Sequence, residues 1–376
     1  MVEAAQSSGL QQGTELDLGE GGTLVVHHVP DHVGHPVLEV EELRHNKGNA
    51  ATFGIWRVRG ATGTAVLKIY KPPADGYQGY WPTSDDPAHW NYWRRESLAY
   101  AEGLPGTVYA DGGVTGPPFL ETHTRADGLV ELWLEYVPGP EGFSWTPERL
   151  ARFARELGAG QARWAGRVPE LPWLSKGWLG QYLTEGPPLS VTIADSDWDH
   201  PGITPWPEPV RQRLRQLWAE RDRLSMVARS GERTLCHLDV WPANLIEVDG
   251  RSVLVDWAFV GEGALGEDIS NLILDSFTDG LMAPELLPEL AESTIAGYLE
   301  GLRDGGWSGD EDGVRRAIAA CGAAKYSWYG PAVLGRAVAN DVGSSNYSKD
   351  GSADAAVRRV TGMVTLISDW AAAATA

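Results

Sequence analysis

An Asp-Gly pair inside a short apolar segment constrains the fold of this chain more than any other feature. Asp249-Gly250 interrupts the apolar-rich stretch 245–255, and such a pair between two short apolar runs is typical of a tight β-hairpin whose turn needs positive φ angles. A hairpin brings its two ends together. Asn244 enters the first predicted strand and Asp256 leaves the second, so we expect these two oxygen-bearing side chains to lie side by side.

The residues just before the hairpin indicate which chemistry Asn244 and Asp256 serve. His237, Asp239 and Asn244 follow the spacing His-x-Asp-x-x-x-x-Asn, which is the spacing of the kinase catalytic loop. In that loop the Asp interacts with the hydroxyl that receives the phosphoryl group, and the Asn binds a magnesium ion. The pattern therefore predicts Asp239 as the catalytic base and Asn244 and Asp256 as magnesium ligands. A surface hairpin with capping residues is the plainer alternative, which the upstream His-x-Asp disfavours.

A lysine inside an apolar strand pattern points to the same chemistry. Lys68 lies within the β-rich run 64–70, and a lysine buried in such a run needs a charged partner. Glu96 lies within the segment 90–102, where apolar residues recur at helical spacing. We expect a helix that turns Glu96 toward Lys68, as in kinases, where this ion pair holds the lysine against the phosphates. Two unrelated surface charges are the alternative, but the order of the pair before the catalytic loop favours the ion pair.

The predicted elements change in character near a Pro and Gly cluster at residues 138–140. Strand patterns prevail before this cluster, and helical patterns such as 147–164 and 312–329 prevail after it. We therefore expect an α+β protein with an N-terminal lobe over residues 1–137, which is β-rich with one helix, and a C-terminal helical lobe over residues 138–376.

Charge and cysteine content limit the possible partners and the compartment. The chain has 31 Lys and Arg against 51 Asp and Glu, a formal net charge of −20. This charge argues against nucleic acid or an anionic membrane as the main partner and is compatible with a cationic substrate. Two cysteines do not make a disulfide framework. Together with the lack of a signal-peptide pattern or an apolar stretch of about 18 residues, this predicts a cytoplasmic protein.

With these residues in place, the chain resembles the aminoglycoside phosphotransferase and choline kinase-like group, which are small-molecule kinases with a two-lobed protein-kinase-like fold. The resemblance covers roughly residues 37–329 and is most specific over residues 236–271. It implies a catalytic set in which His237 braces the loop and Asp239 acts on the acceptor hydroxyl. It further implies that Lys68 and Glu96 clamp the nucleotide, with Asn244 and Asp256 as the Mg²⁺ ligands.

The resemblance also implies where the nucleotide binds. The backbone of Glu135, Tyr136 and Val137 would contact adenine. The chain lacks a Gly-x-Gly-x-x-Gly loop, so the turn at residues 46–51 would cover the phosphates, with Asn49 as a contact. Some relatives use GTP, so ATP is the expected phosphoryl donor and GTP stays open.

These features predict an ATP-dependent phosphotransferase that acts on a hydroxyl of a small molecule, such as an aminoglycoside, another antibiotic or an amino sugar. A kinase that phosphorylates Ser or Thr of a precursor peptide in lanthipeptide-type biosynthesis is an alternative, in which the segments 77–93 and 184–207 would bind the peptide. The segment 184–207 is longer than a usual connection and is interpreted as a substrate-side loop or lid. A catalytically inactive kinase-like binding module is the third alternative, disfavoured because every member of the catalytic set is present.

Overall fold

The computed structural model describes residues 14–19, 22–77, 81–185, 195–278, 280–341 and 351–376. The predicted α+β, two-lobed, protein-kinase-like fold is confirmed, with a small antiparallel sheet in the N-terminal lobe and a larger helical C-terminal lobe. The boundary at residue 137 stays a prediction.

A five-stranded antiparallel sheet forms the N-terminal lobe, beside a separate hairpin made of the first two strands. The strands before residue 137 are β1 (Thr14–Gly19), β2 (Gly22–Val26), β3 (Val37–Glu42), β4 (Thr52–Gly60), β5 (Thr64–Tyr70), β6 (Val114–Thr115), β7 (Phe119–Thr124) and β8 (Val130–Glu135). The large sheet has the order β3-β4-β5-β8-β7, so β5, which carries Lys68, is its central strand. The β1–β2 hairpin contributes Leu16 and Leu24 to a buried cluster with Trp56, Leu67 and Trp133 of the large sheet.

The helix that carries Glu96 is shorter than its predicted segment 90–102. It is α1 (Arg95–Ala101), and a second short helix, α2 (Leu104–Thr107), follows it, so the prediction of one helix in this lobe missed α2. The chain before α1 is not helical because the backbone carbonyls of Pro87, His89 and Trp90 turn toward the Arg95 guanidinium and accept its hydrogen bonds.

Helices make up most of the C-terminal lobe. They are α3 (Pro147–Ala162), α4 (Trp178–Glu185), α5 (Glu208–Ser230), α6 (Glu267–Thr278), α7 (Leu287–Asp304), α8 (Glu311–Lys325), α9 (Tyr329–Ala339), α10 (Ala353–Arg359) and α11 (Thr361–Thr375). The predicted helix 147–164 is confirmed as α3, which ends at Ala162. The predicted helix 312–329 ends earlier, at Lys325, because the chain turns at residues 326–328 before it enters α9.

Several short strands of this lobe lie beside the candidate site residues. They are β9 (Ser175–Lys176), β10 (Arg233–Cys236), β11 (Leu245–Val248), β12 (Arg251–Leu254) and β13 (Gly261–Ala264). Strand β12 also pairs with β6 in parallel, which joins the catalytic hairpin to the first half of the chain. Of the predicted lid at 184–207, residues 186–194 lie outside the described residues, and two 3₁₀ turns (Asp195–Asp199 and Pro201–Ile203) follow them. Within the part of the chain that the structure describes, every helix is too short or too polar to cross a membrane.

Candidate active site

The predicted hairpin is present and brings its two ends together. Asp249 and Gly250 have φ angles of +49° and +78°, as the tightest two-residue hairpin turns require. The N–H of Val255 donates to the carbonyl oxygen of Asn244 at 2.9 Å, so pairing continues to the end of the ladder. Asn244, directly before β11, and Asp256, just after β12, therefore lie at the same end of the hairpin.

The loop between β10 and the hairpin is held by its own side chains. The Asn244 amide nitrogen donates to the Asp239 carbonyl oxygen at 2.9 Å and to Asp239 Oδ2 at 3.0 Å. The N–H of Asp239 donates to His237 Nδ1 at 3.3 Å. Complete burial lowers the pKa of His237 to about 4, which favours the neutral ring whose Nδ1 accepts this hydrogen bond.

The electrostatic setting of Asp239 suits contact with an acceptor hydroxyl. Burial, and then repulsion from Asp256, raise the pKa of Asp239 to about 7, while the nearby charge of Lys325 opposes the rise. Asp239 is only half-buried. Since Oδ2 accepts from Asn244, Oδ1 can accept a hydrogen bond from a bound hydroxyl.

The predicted ion pair is formed, and a third residue joins it. Lys68 Nζ lies 2.5 Å from Glu96 Oε2 and 2.6 Å from Asp256 Oδ1. Burial alone would lower the pKa of Lys68, but the charges of Asp256 and Glu96 outweigh burial and raise it. Lys68 is therefore a fixed cation that connects β5, α1 and the end of the catalytic hairpin.

Glu96 has partners besides Lys68 that the sequence did not reveal. Glu96 Oε2 also accepts from the Tyr70 hydroxyl at 2.6 Å, and Oε1 accepts from the N–H of Trp257 at 3.1 Å. Burial raises the pKa of Glu96, and the Lys68 charge opposes this rise. Tyr70 follows Lys68 by two residues in β5, so it projects from the same face of the sheet. This spacing was the available signal.

A buried carboxylate at the start of α6 anchors the catalytic loop. Asp268 accepts hydrogen bonds from the backbone N–H of His237 at 2.9 Å and of Leu238 at 2.7 Å. Its Oδ2 also accepts from Gln161 Nε2 at 2.7 Å. Burial raises the pKa of Asp268 to about 6. Gln161 belongs to α3, and nothing in its sequence context indicated this role.

The three residues expected to meet adenine follow strand β8. Two of their N–H groups are already used, since that of Glu135 donates to Pro118 O at 2.9 Å and that of Tyr136 donates to Thr64 O at 3.0 Å. Among these three residues, the backbone N–H of Val137 is therefore the one left to donate to adenine. The adenine contact stays a prediction.

The turn expected to cover the phosphates lies between β3 and β4. Asn49 Oδ1 accepts from the N–H of Ala51 at 3.0 Å and from Asn91 Nδ2 at 3.1 Å. Asn49 Oδ1 therefore stabilises the turn, and the side-chain amide nitrogen of Asn49 is the group left to contact a phosphate. Asn91 lies in the connection between β5 and α1 and was not found by sequence reasoning.

The residues predicted to hold magnesium suit that ion. Asn244 turns its amide nitrogen toward Asp239, which leaves its Oδ1 for a metal, and Asp256 contributes a carboxylate. The described residues contain no cluster of three or more His, Cys, Asp or Glu that could enclose a metal by itself. A pair of oxygen ligands completed by phosphates is the usual arrangement for Mg²⁺, which keeps several waters and rarely occupies an all-protein cage.

The fold and this set of residues define a phosphotransferase of the protein-kinase-like class. The model of the phosphotransferase enzyme family, APH, matches residues 48–309. The chain therefore belongs to this family, and it is an enzyme that transfers a phosphoryl group to an alcohol.

Two solved structures share the fold. One is the amicoumacin kinase hAmiN in complex with AMP-PNP, Ca²⁺ and Ami, at 13% identity and TM-score 0.50, with 88% of each chain covered. The other is an aminoglycoside phosphotransferase from Alicyclobacillus acidocaldarius subsp. acidocaldarius, at 16% identity and TM-score 0.50, with 92% of this chain and 93% of that chain covered. No curated protein sequence matches the chain.

Proposed function

We propose that the protein transfers the γ-phosphoryl group of ATP, bound with Mg²⁺, to a hydroxyl of a small molecule such as an aminoglycoside, another antibiotic or an amino sugar. The observation that carries this proposal is the meeting of Lys68, Glu96 and Asp256 at one point of the cleft. These three residues come from β5, α1 and the end of the catalytic hairpin. A cation held between two carboxylates at this place is what a nucleotide clamp requires.

The roles of the residues follow from the charge that develops during transfer. Phosphoryl transfer passes through a loose transition state with negative charge on the peripheral oxygens, so positioning and electrostatic stabilisation dominate catalysis. Lys68 would bind phosphate oxygens, and Asp239 Oδ1 would orient the acceptor hydroxyl and accept its proton. Asn244 and Asp256 would hold the metal, which neutralises the phosphates when it is bound.

The similar solved structures agree with this proposal at the level of ligand class. The amicoumacin kinase was solved with AMP-PNP, a divalent cation and Ami. A nucleotide, a divalent cation and a small molecule are also the three ligands proposed for this chain. Neither solved structure named above is described as acting on a peptide. The peptide alternative therefore has no observation in its favour, and the presence of the whole catalytic set argues against an inactive binding module.

A nucleotide-consumption screen tests the proposal. Wild-type protein is incubated with Mg²⁺ and either ATP or GTP against aminoglycosides, amino sugars, nucleoside antibiotics and Ser-rich peptides. The matched control is Asp239→Asn, which keeps the shape of the side chain. We expect a small-molecule acceptor to raise consumption in the wild type alone and to give a product heavier by one phosphoryl group in mass spectrometry. Transfer to peptides and to none of the small molecules would overturn the proposal.

A further inference from the structure

The backbone just before Asp239 adopts an unusual conformation. Leu238 has a φ of +68°, in the left-handed region that residues with a bulky side chain rarely adopt, and the surrounding structure must hold such a residue in place. Helix α6 does so from both sides of the residue. Its Asp268 accepts from the N–H of Leu238 at 2.7 Å, and the Asn271 amide nitrogen donates to the carbonyl oxygen of Leu238 at 3.2 Å. We call these two hydrogen bonds the Leu238 clamp. Because Asp239 follows directly, the Leu238 clamp sets the direction of the Asp239 carboxylate.

The Leu238 clamp can form in only one orientation of the Asn271 amide. A carbonyl oxygen accepts hydrogen bonds and cannot donate them, so the amide nitrogen of Asn271 must face Leu238. A half-turn of the amide would put two oxygens against each other. Lys325 excludes this half-turn, since its Nζ donates to Asn271 Oδ1 at 3.0 Å and an ammonium group offers donors only.

Lys325 is held firmly enough to fix the amide. It is the last residue of α8 and is only 7% exposed. Its Nζ lies 3.4 Å from Asp275 Oδ2 and 5.3 Å and 5.2 Å from the ring centroids of Trp178 and Tyr326. A lysine is buried at this level only when it is paired, and here its partners come from α4, α6 and the chain that follows α8.

We propose that Lys325 is a positioning residue of the phosphoryl transfer: by fixing the orientation of the Asn271 amide, it holds Leu238 in its left-handed conformation and thereby aims Asp239 at the acceptor. In this role Lys325 acts through Asn271. Its effect on catalysis rests on the proposed function, whereas its effect on the loop does not.

Hydrogen exchange of the catalytic loop tests the structural step without an acceptor. Exchange is followed by mass spectrometry in a peptide spanning residues 236–244 for the wild type, Lys325→Met and Lys325→Arg. We expect the Met variant to exchange about tenfold faster in this peptide, because the Leu238 clamp opens locally, and the Arg variant to stay near the wild type. Arg316→Met is the matched control, since it removes an exposed basic side chain from the same helix, α8. Its loop should exchange as in the wild type.

A second variant covers the case in which Lys325→Met does not fold. Asn271→Asp has the same shape and keeps a partner for Lys325, but it loses the donor to the Leu238 carbonyl. The loop peptide should again exchange about tenfold faster. Wild-type exchange in Asn271→Asp, or in a folded Lys325→Met, would overturn the inference.

Kinetics separate this inference from the proposed function. With an acceptor found by the screen, Lys325→Met should lower kcat by about tenfold to 100-fold and leave the nucleotide KM unchanged, because Asp239 is misaligned while the nucleotide clamp is intact. Lys325→Arg should recover most of kcat. A wild type that phosphorylates no acceptor would contradict the proposed function and leave the exchange result standing. A loss confined to nucleotide KM would contradict the role of Lys325.

Discussion

At the scale of single residues, the site is a small network of buried charges in which each member fixes another. Lys68 is 7% exposed and Glu96 is 2% exposed, so neither charge would be stable there alone. Asp256 completes the group from the other lobe and has a left-handed backbone, with φ of +64°, which Asp tolerates better than most residues. The network therefore joins the proposed nucleotide clamp to a proposed metal ligand.

Asp239→Asn separates acceptor chemistry from nucleotide binding. The substitution keeps the shape of the side chain but removes the carboxylate that is proposed to face the acceptor hydroxyl. We expect kcat to fall by a factor of about 10² to 10⁴, the range for general-base groups, while nucleotide affinity stays unchanged. Steady-state kinetics and calorimetry measure the two quantities. A kcat above about a tenth of the wild-type value would exclude Asp239 from this role.

Lys68 and Glu96 should behave as one unit in a double-mutant cycle. Lys68→Ala and Glu96→Ala each remove one side of a 2.5 Å contact, so each should lower kcat/KM, and the double variant should lose much less than the product of the two. The coupling should be about 1 kcal/mol or more. Because Asp256 also contacts Lys68, Lys68→Ala should be the more harmful single change. Additive losses would show that Glu96 is not the functional partner of Lys68.

At the scale of elements, α1 is fixed by its first residue as much as by its packing. Arg95 is fully buried, and its guanidinium donates to five backbone carbonyls. Three of these lie just before α1, while Trp173 O at 2.8 Å and Ala258 O at 3.2 Å belong to the C-terminal lobe. Since Ala258 follows Asp256 by two residues, Arg95 connects the helix of Glu96 to the segment of Asp256.

Arg95→Leu should be strongly destabilising, because it leaves several buried carbonyl groups without a donor. We expect a loss of about 3 kcal/mol or more in the free energy of unfolding, measured by urea denaturation. Arg94→Leu is the matched control. Arg94 is the neighbouring residue and is partly exposed. Its guanidinium donates to Thr124 Oγ1 at 3.2 Å and lies 5.2 Å from the ring centroid of Trp93. Arg94→Leu should lower the free energy of unfolding by no more than about 1 kcal/mol. Equal losses of unfolding free energy in the two variants would contradict the role given to Arg95.

At the scale of the whole molecule, the two lobes meet at the charged site. Lys68 and Glu96 belong to the N-terminal lobe, whereas Asp239, Asn244 and Asp256 belong to the C-terminal lobe. A ligand that binds both groups therefore stabilises the arrangement of the lobes as well as its own site.

Nucleotide with Mg²⁺ should accordingly raise the melting temperature of the protein. At a concentration of about 100 times Kd, a ligand that binds only the folded state adds about 2.7 kcal/mol of stability. We expect a clear shift with ATP and Mg²⁺, a smaller shift with ATP and a chelator, and no metal-dependent part in Asp256→Ala. Asp127→Ala removes an exposed carboxylate that pairs with Arg125 and should behave as the wild type. A full metal-dependent shift in Asp256→Ala would contradict both the metal assignment and the argument from the hairpin.

The sequence by itself determined the parts of this protein that depend on local patterns. Turn chemistry at Asp249-Gly250 determines the hairpin, and the hairpin in turn brings Asn244 next to Asp256. The cost of burying an unpaired lysine predicted the contact between Lys68 and Glu96, although the helix of Glu96 begins five residues later than its apolar pattern indicates.

Only the tertiary structure decided which distant groups complete the site. Asp256 joins Lys68 across 188 residues and Lys325 meets Asn271 across 54 residues, and no local periodicity encodes such contacts. Lys325 follows an apolar, alanine-rich run, a signal like that of Lys68, but the sequence does not say which carboxylate or amide faces it. Each buried charge needs a partner, and the packing of α6 against α8 determines that Asn271 is the partner of Lys325.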